Sequence, residues 1–175
     1  MAAGIRELDA PRCFLAITET VEITEGDKWV KAEPFEGFSI TCGIEFNHPM
    51  IMLQSYTLDL FDESFLTAIS PARTFGFYRE IEMLKLYGLG RGATLDTGIA
   101  LTDDDIMNEG GLRFPDEFVR HKLLDCLGDF SLLGMPILAK ITTHKSGHAF
   151  NHNFLEALFA NKSAWETRPF SGVSP

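Results

Sequence analysis

Residues 115–133, PDEFVRHKLLDCLGDFSLL, carry a sustained helical period among segments that alternate two-fold, and that contrast points to an α+β chain. Pro115 suits a first turn, no proline interrupts the interior, and Gly128 falls late. At about 100° per residue, Asp125 lies about 40° round from His121 and Asp129 about 80°, whereas Leu123, Leu124 and Leu127 fall at about 200–300°. The helix therefore has a leucine face and a His/Asp/Asp face. An imidazole and a carboxylate four residues apart are neighbours on one helix face, and both ligate a borderline cation such as Zn²⁺. In an arbitrary helix the same pair is more often a solvated contact in which the carboxylate merely orients the histidine, so both readings stand at this point.

The flanking segments complete the fold class. PILAKITT (136–143) alternates as a strand and AFNHNFLEALFA (149–160) reads as a second helix. Upstream, ATLDTGIAL (93–101) suggests a strand. YREIEMLKLYG (78–88) has a helical period ending at glycine, and DESFLTAI (62–69) looks helical with Asp62 or Ser64 near its cap. From residue 14 to residue 60 the pattern is mostly two-fold, with EGD as a turn, which predicts an antiparallel meander. The expected architecture is a two-layer α+β sandwich: a mainly antiparallel sheet with two main helices on one face. One domain spans residues 1–170 with a tail at 171–175, and the stretch TRPFSGVSP (167–175) is expected to fray.

The chain has 175 residues and 45% hydrophobic content, enough for one domain with a sizeable core or two small ones. A formal charge of −10 and a pI near 4.9 argue against nucleic-acid binding, because no basic stripe exists to replace counterions along phosphates. Cys13, Cys42 and Cys126 are odd in number and lack any C-x-x-C spacing, which points to a reducing, cytoplasmic chain with no disulfide framework. No apolar run reaches the roughly 18 residues of a transmembrane segment, and MAAGIRELDAPRC lacks the apolar core of a signal peptide.

A catalytic zinc usually has three protein ligands and an open position for water. His121 and Asp125 supply two. Of the other histidines, His48, His144, His148 and His152, the most suggestive is His148 in the glycine-containing loop HKSGHAF. On spacing alone His148 is a third ligand, a general acid or a histidine bonded to backbone at a helix end, and nothing in the residues chooses. Thr74 in ARTFGF offers a hydroxyl for a developing oxyanion, although an arbitrary threonine is more often structural. GLGRGA (88–93) lacks a following GK[ST] and reads as a tight turn, and Phe75, Phe77, Ile81 and Leu84 are more often core than an acyl-binding wall.

Together, NHP (47–49), ARTFGF (72–77), GLRFPDEFVRHKLLDCLGD (111–129) and KSGHAFNHNFLEAL (145–158) resemble the UDP-3-O-acyl-N-acetylglucosamine deacetylases of lipid A biosynthesis. The resemblance runs over nearly the whole chain but covers only the second half of that enzyme. It implies two similar α/β layers, each a sheet with two helices, with zinc at their interface. By motif, it implies that His121 and Asp125 are zinc ligands, and that Asp129 is the carboxylate holding the charge of the catalytic histidine. Lys122 is then the substrate-contacting lysine, Thr74 the oxyanion-stabilising hydroxyl, and His148 the charged histidine that assists protonation of the leaving amine. It further implies that about residues 75–100 form a small βαβ-like insert enclosing a hydrophobic passage for the substrate's acyl chain, lined by Phe75, Phe77 and Ile81, and that Phe46, Lys28, Glu80 and Lys145 surround the uridine diphosphate end. The family's third zinc ligand, a histidine, and the glutamate base just before it belong to the first half, and no Glu-His pair occurs in this sequence. The implied partner is therefore the N-terminal half, without which these residues should be inactive. The alternative is a non-catalytic domain that binds an acylated nucleotide sugar or a partner protein.

Overall fold

The two-fold runs of the N-terminal third form five strands in the computed structural model, which describes residues 4, 6, 10–59, 65–88, 90 and 92–169, without the side chains of 82, 84 and 85. They are β1 (Cys13–Ile17), β2 (Val21–Glu25), β3 (Lys28–Glu33), β4 (Phe38–Phe46) and β5 (Met52–Asp59). Next come β6 (Thr74–Phe77), helix α1 (Tyr78–Leu86) and β7 (Gly98–Leu101), then α2 (Glu117–Phe130), β8 (Ile137–His144), α3 (His148–Ala160) and β9 (Trp165–Pro169). Most pairings in the main sheet are antiparallel, and the βαβ insert is present: β6 pairs parallel with β7 around α1, with Phe75 opposite Ile99.

The predicted meander is broken at its centre. The hairpins β2–β3 and β4–β5 form, but β8 lies between them, antiparallel to β3 and parallel to β4. Alternation determines which face of a strand is buried and is silent about its neighbour, so a distant strand with the same period enters the sheet without violating any local signal. Register across the sheet aligns Ala32, Ile141, Ile40 and Leu58 in one buried row, with Val30, Thr143 and Cys42 in the next. In the β2–β3 turn Gly26 takes φ 62°, the left-handed conformation that a two-residue hairpin requires and that glycine adopts without steric cost.

The helices cover the buried face. The core stripe of α2 is Val119, Leu123, Cys126 and Phe130, at steps of four, three and four, while Leu124 and Leu127 are only partly buried. The inward arc is thus rotated from the predicted leucine face, because Phe118 and Val119 enter the core one turn earlier. From α3, Phe154 and Leu158 meet it; each fully buried side chain of this size contributes about 1.5–3 kcal/mol.

Three other expectations change. Part of the stretch expected to fray is strand: β9 pairs antiparallel with β1 over Cys13–Pro169 to Ile17–Trp165, and Pro169 is tolerated at the end of an edge strand. Residues 65–69 form a single π-type turn, whereas Asp62 and Ser64 lie outside the described residues. Only Gly98–Leu101 of ATLDTGIAL is extended, because residues 94–97 turn on hydrogen bonds from Thr97 and Gly98 N–H to the Thr94 carbonyl. The tail at 171–175, the Leu84 side chain and residues 89 and 91 of the glycine-rich turn also lie outside the described residues. No helix among the described residues is long and apolar enough to cross a membrane.

Candidate active site

Three elements supply the polar groups singled out above. Thr74 begins β6, the His121 to Asp129 face belongs to α2, and His148 begins α3. A buried ion pair ties β6 to α2. Glu117, fully buried in the first turn of α2, accepts from Arg73 Nε at 2.9 Å and Nη2 at 3.0 Å. It also accepts from the backbone N–H of Arg73 at 2.9 Å and of Arg113 at 2.6 Å. Burial alone would raise the Glu117 carboxyl, but the bonds from Arg73 and Arg113 outweigh it and hold it below its ordinary value.

His121 and Asp125 face each other with Nε2 and Oδ1 3.5 Å apart. His121 Nδ1–H donates to the Ala72 carbonyl at 3.3 Å, which leaves the lone pair on Nε2. Burial holds this imidazole below its ordinary value, although Asp125 acts the other way, which favours the neutral ring, the form that ligates metal. Nitrogen and oxygen donors on tetrahedral zinc, with bonds of about 2.0–2.2 Å, stand about 3.4 Å apart, so this pair fits two ligands of one ion. The other Asp125 oxygen accepts from Lys122 Nζ at 2.6 Å and lies 3.9 Å from His148 Nε2. Among the described residues, no group of three or more His, Cys, Asp and Glu side chains is arranged to hold a metal ion.

His148 is held from behind. Its Nδ1–H reaches Asp129 at 2.9 Å and 3.0 Å to the two oxygens, and the nearly fully buried Asn151 donates to Asp129 Oδ2 at 2.8 Å. A cavity of about 350 Å³ gathers His121, Lys122, Asp125, His148 and Thr74 with Glu80 and an aromatic wall of Phe46, Phe75 and Phe77. Phe75 joins this wall to the core, packing edge-on against Phe46 at 5.6 Å and Phe118 at 5.1 Å. Ile81 packs 3.5 Å from where a Cβ on the lining residue Gly76 would stand but does not itself line the cavity.

Lys28 and Lys145 do not reach the cavity lining. Lys28 is exposed at the β2–β3 turn. Lys145 is paired to Asp27 and, at 2.8 Å, to Glu45, while its N–H bonds the Gly43 carbonyl at 2.9 Å. These bonds hold it at φ 51°, a conformation non-glycine residues seldom adopt.

Glu117, Arg73 and Asn151 went unnoticed in the sequence because their partners are remote in the chain; only burial of a charged or amide side chain betrays them. Cys42 and Cys126 also come together, as free buried thiols between β4 and α2.

A family model, UDP-3-O-acyl N-acetylglycosamine deacetylase, matches residues 1–160. A UDP-3-O-acyl-N-acetylglucosamine deacetylase of Myxococcus xanthus is 46% identical over 168 residues, 96% of this chain and 54% of that protein. One of the same name from Acidithiobacillus ferrooxidans is 46% identical over 166 residues, 94% of this chain and 55% of that protein. The chain spans about half the length of the curated relatives it matches.

Proposed function

Since the chain belongs to the UDP-3-O-acyl N-acetylglycosamine deacetylase family, we propose that it forms the second half of a zinc-dependent active site that removes acetate from UDP-3-O-acyl-N-acetylglucosamine in lipid A biosynthesis. The observation that carries this reading is the convergence of the His121–Asp125 pair, the Asp129-backed His148 and Thr74 on one cavity walled by aromatic rings.

In this reading His121 Nε2 and Asp125 Oδ1 hold the metal. Bound there, zinc would polarise the amide carbonyl and make its water nucleophilic near neutral pH. Thr74 Oγ1–H donates to the carbonyl oxygen as negative charge develops on it. His148, bonded to Asp129 through Nδ1–H, delivers a proton from Nε2 to the leaving amine. Lys122 Nζ leaves Asp125 to contact the substrate, and Phe46 and Glu80, with Lys145 and Lys28 beyond them, surround the uridine diphosphate end. These 175 residues hold no Glu-His pair to supply the remaining ligand and base, so the chain alone is inactive.

Supplying the N-terminal half of the Myxococcus xanthus relative as a separate polypeptide, with zinc, should restore acetate release, at a rate limited by the cost of association. The second reading is a non-catalytic domain that binds the acylated sugar nucleotide in the aromatic-walled cavity. A complex that assembles and takes up zinc yet releases no acetate would favour it.

The acyl passage has its own test. Phe75 and Phe77 line the cavity, and Met83, Leu86 and Tyr87 expose apolar surface on and just after α1, so a fatty acid gains about 0.8 kcal/mol per CH₂ buried there. Its NMR perturbations should cluster in residues 75–100; clustering on β1 to β3 instead would remove the passage.

A further inference from the structure

The Ala72–Arg73 peptide is gripped at both edges by α2. Its N–H donates to Glu117 Oε1 at 2.9 Å, and its carbonyl accepts from His121 Nδ1–H at 3.3 Å. A trans peptide is planar, with N–H and C=O pointing in opposite directions, so fixing one edge fixes the other. Glu117 and His121 stand four residues apart on one face of α2, the spacing at which such a peptide can bridge them. The peptide has little freedom to turn. Arg113 Nη1 holds the Pro71 carbonyl at 2.7 Å, and the Ala72 N–H bonds the Ile69 carbonyl at 3.0 Å. A carboxylate at the N–H end also polarises the amide, which strengthens its carbonyl as an acceptor.

We propose that Glu117 is a positioning residue which, through the Ala72–Arg73 peptide, fixes His121 as the Nδ1–H tautomer and so leaves Nε2 unprotonated, its lone pair free for a metal beside Asp125. This deepens the metal-ligand reading of His121 and rests on it for its consequence. Metal-ligating histidines commonly donate their second N–H to a carboxylate or carbonyl that fixes the tautomer, and here a peptide stands between the carboxylate and the ring. Arg73 has a separate part. Its guanidinium neutralises Glu117, while its backbone N–H transmits the constraint.

The test is ring-nitrogen NMR on the full metal-free chain above the pH at which the ring titrates, with His121 assigned by comparison with His121→Gln. The unmutated chain should show His121 protonated on Nδ1 alone and slow hydrogen exchange at the Arg73 amide. The double variant Arg73→Met, Glu117→Met strands no buried charge and so keeps its fold, yet removes the carboxylate that holds the peptide. It should gain the Nε2–H tautomer. Arg73→Lys lowers stability but keeps the backbone bond, and should leave the tautomer unchanged, a distinction that a purely structural role for Glu117 would not produce. An Nε2–H tautomer or a fast-exchanging Arg73 amide in the unmutated chain overturns the proposal, as does an unchanged tautomer in a folded double variant. Because these arms contain no metal, a correct tautomer beside a reconstituted complex that takes up no zinc would support the positioning role and count against the proposed function alone.

Discussion

On the proposed reading, His148→Ala should lower kcat of the reconstituted complex by about 10²–10⁴-fold, the range general acid catalysis supplies, while KM changes little. The argument rests on where the side chain stands. The ring is 68% exposed, so truncating it leaves no core void and the thermal melt should stay within a degree or two of the parent. Its Nδ1–H is committed to Asp129, which Asn151 holds in turn, so Nε2 is aimed at the cavity before substrate arrives. A loss below about tenfold at unchanged stability would mean that the leaving amine takes its proton from another group.

The parts of this site that can be read in the sequence are those carried by one element. The polar face of α2 follows from helical spacing, and His121 and Asp125 do meet, because residues four apart are neighbours on any helix. Within the insert, α1 and the strand ending at Leu101 were also legible from their periods, whereas β6 was expected only through the family resemblance. Sheet order was not. The alternation of β8 is as good a neighbour for β3 as that of β4, and only packing of the whole sheet chooses. β9 was missed for a different reason: WETRP has little strand propensity of its own and is extended because its backbone pairs with β1. Polar support was hidden altogether. Glu117 lies 44 residues from Arg73, and Asn151 22 from Asp129, so neither falls within any helical or strand period.

Glu117→Ala should be the most destabilising single change near the site, costing about 3–5 kcal/mol, because it leaves the Arg73 guanidinium buried without its counter-charge. Two further donors lose their acceptor at once, the Arg73 and Arg113 backbone N–H groups, whereas Arg73 Nη2 keeps the Gly111 carbonyl at 2.8 Å. Arg73→Lys should cost less, since the ammonium keeps the charge and both backbone bonds remain. The effect has a pH signature of known sign. The folded Glu117 carboxyl lies below its ordinary value of 4.5, so its contribution is present in full above that value and is lost as pH falls through the folded one. Urea melts should therefore give a gap between parent and Glu117→Ala that is constant near neutrality and narrows as pH falls below about 4. A gap under about 1 kcal/mol at pH 7, or one that widens on acidification, would show that the carboxylate is not the anchor of β6 on α2.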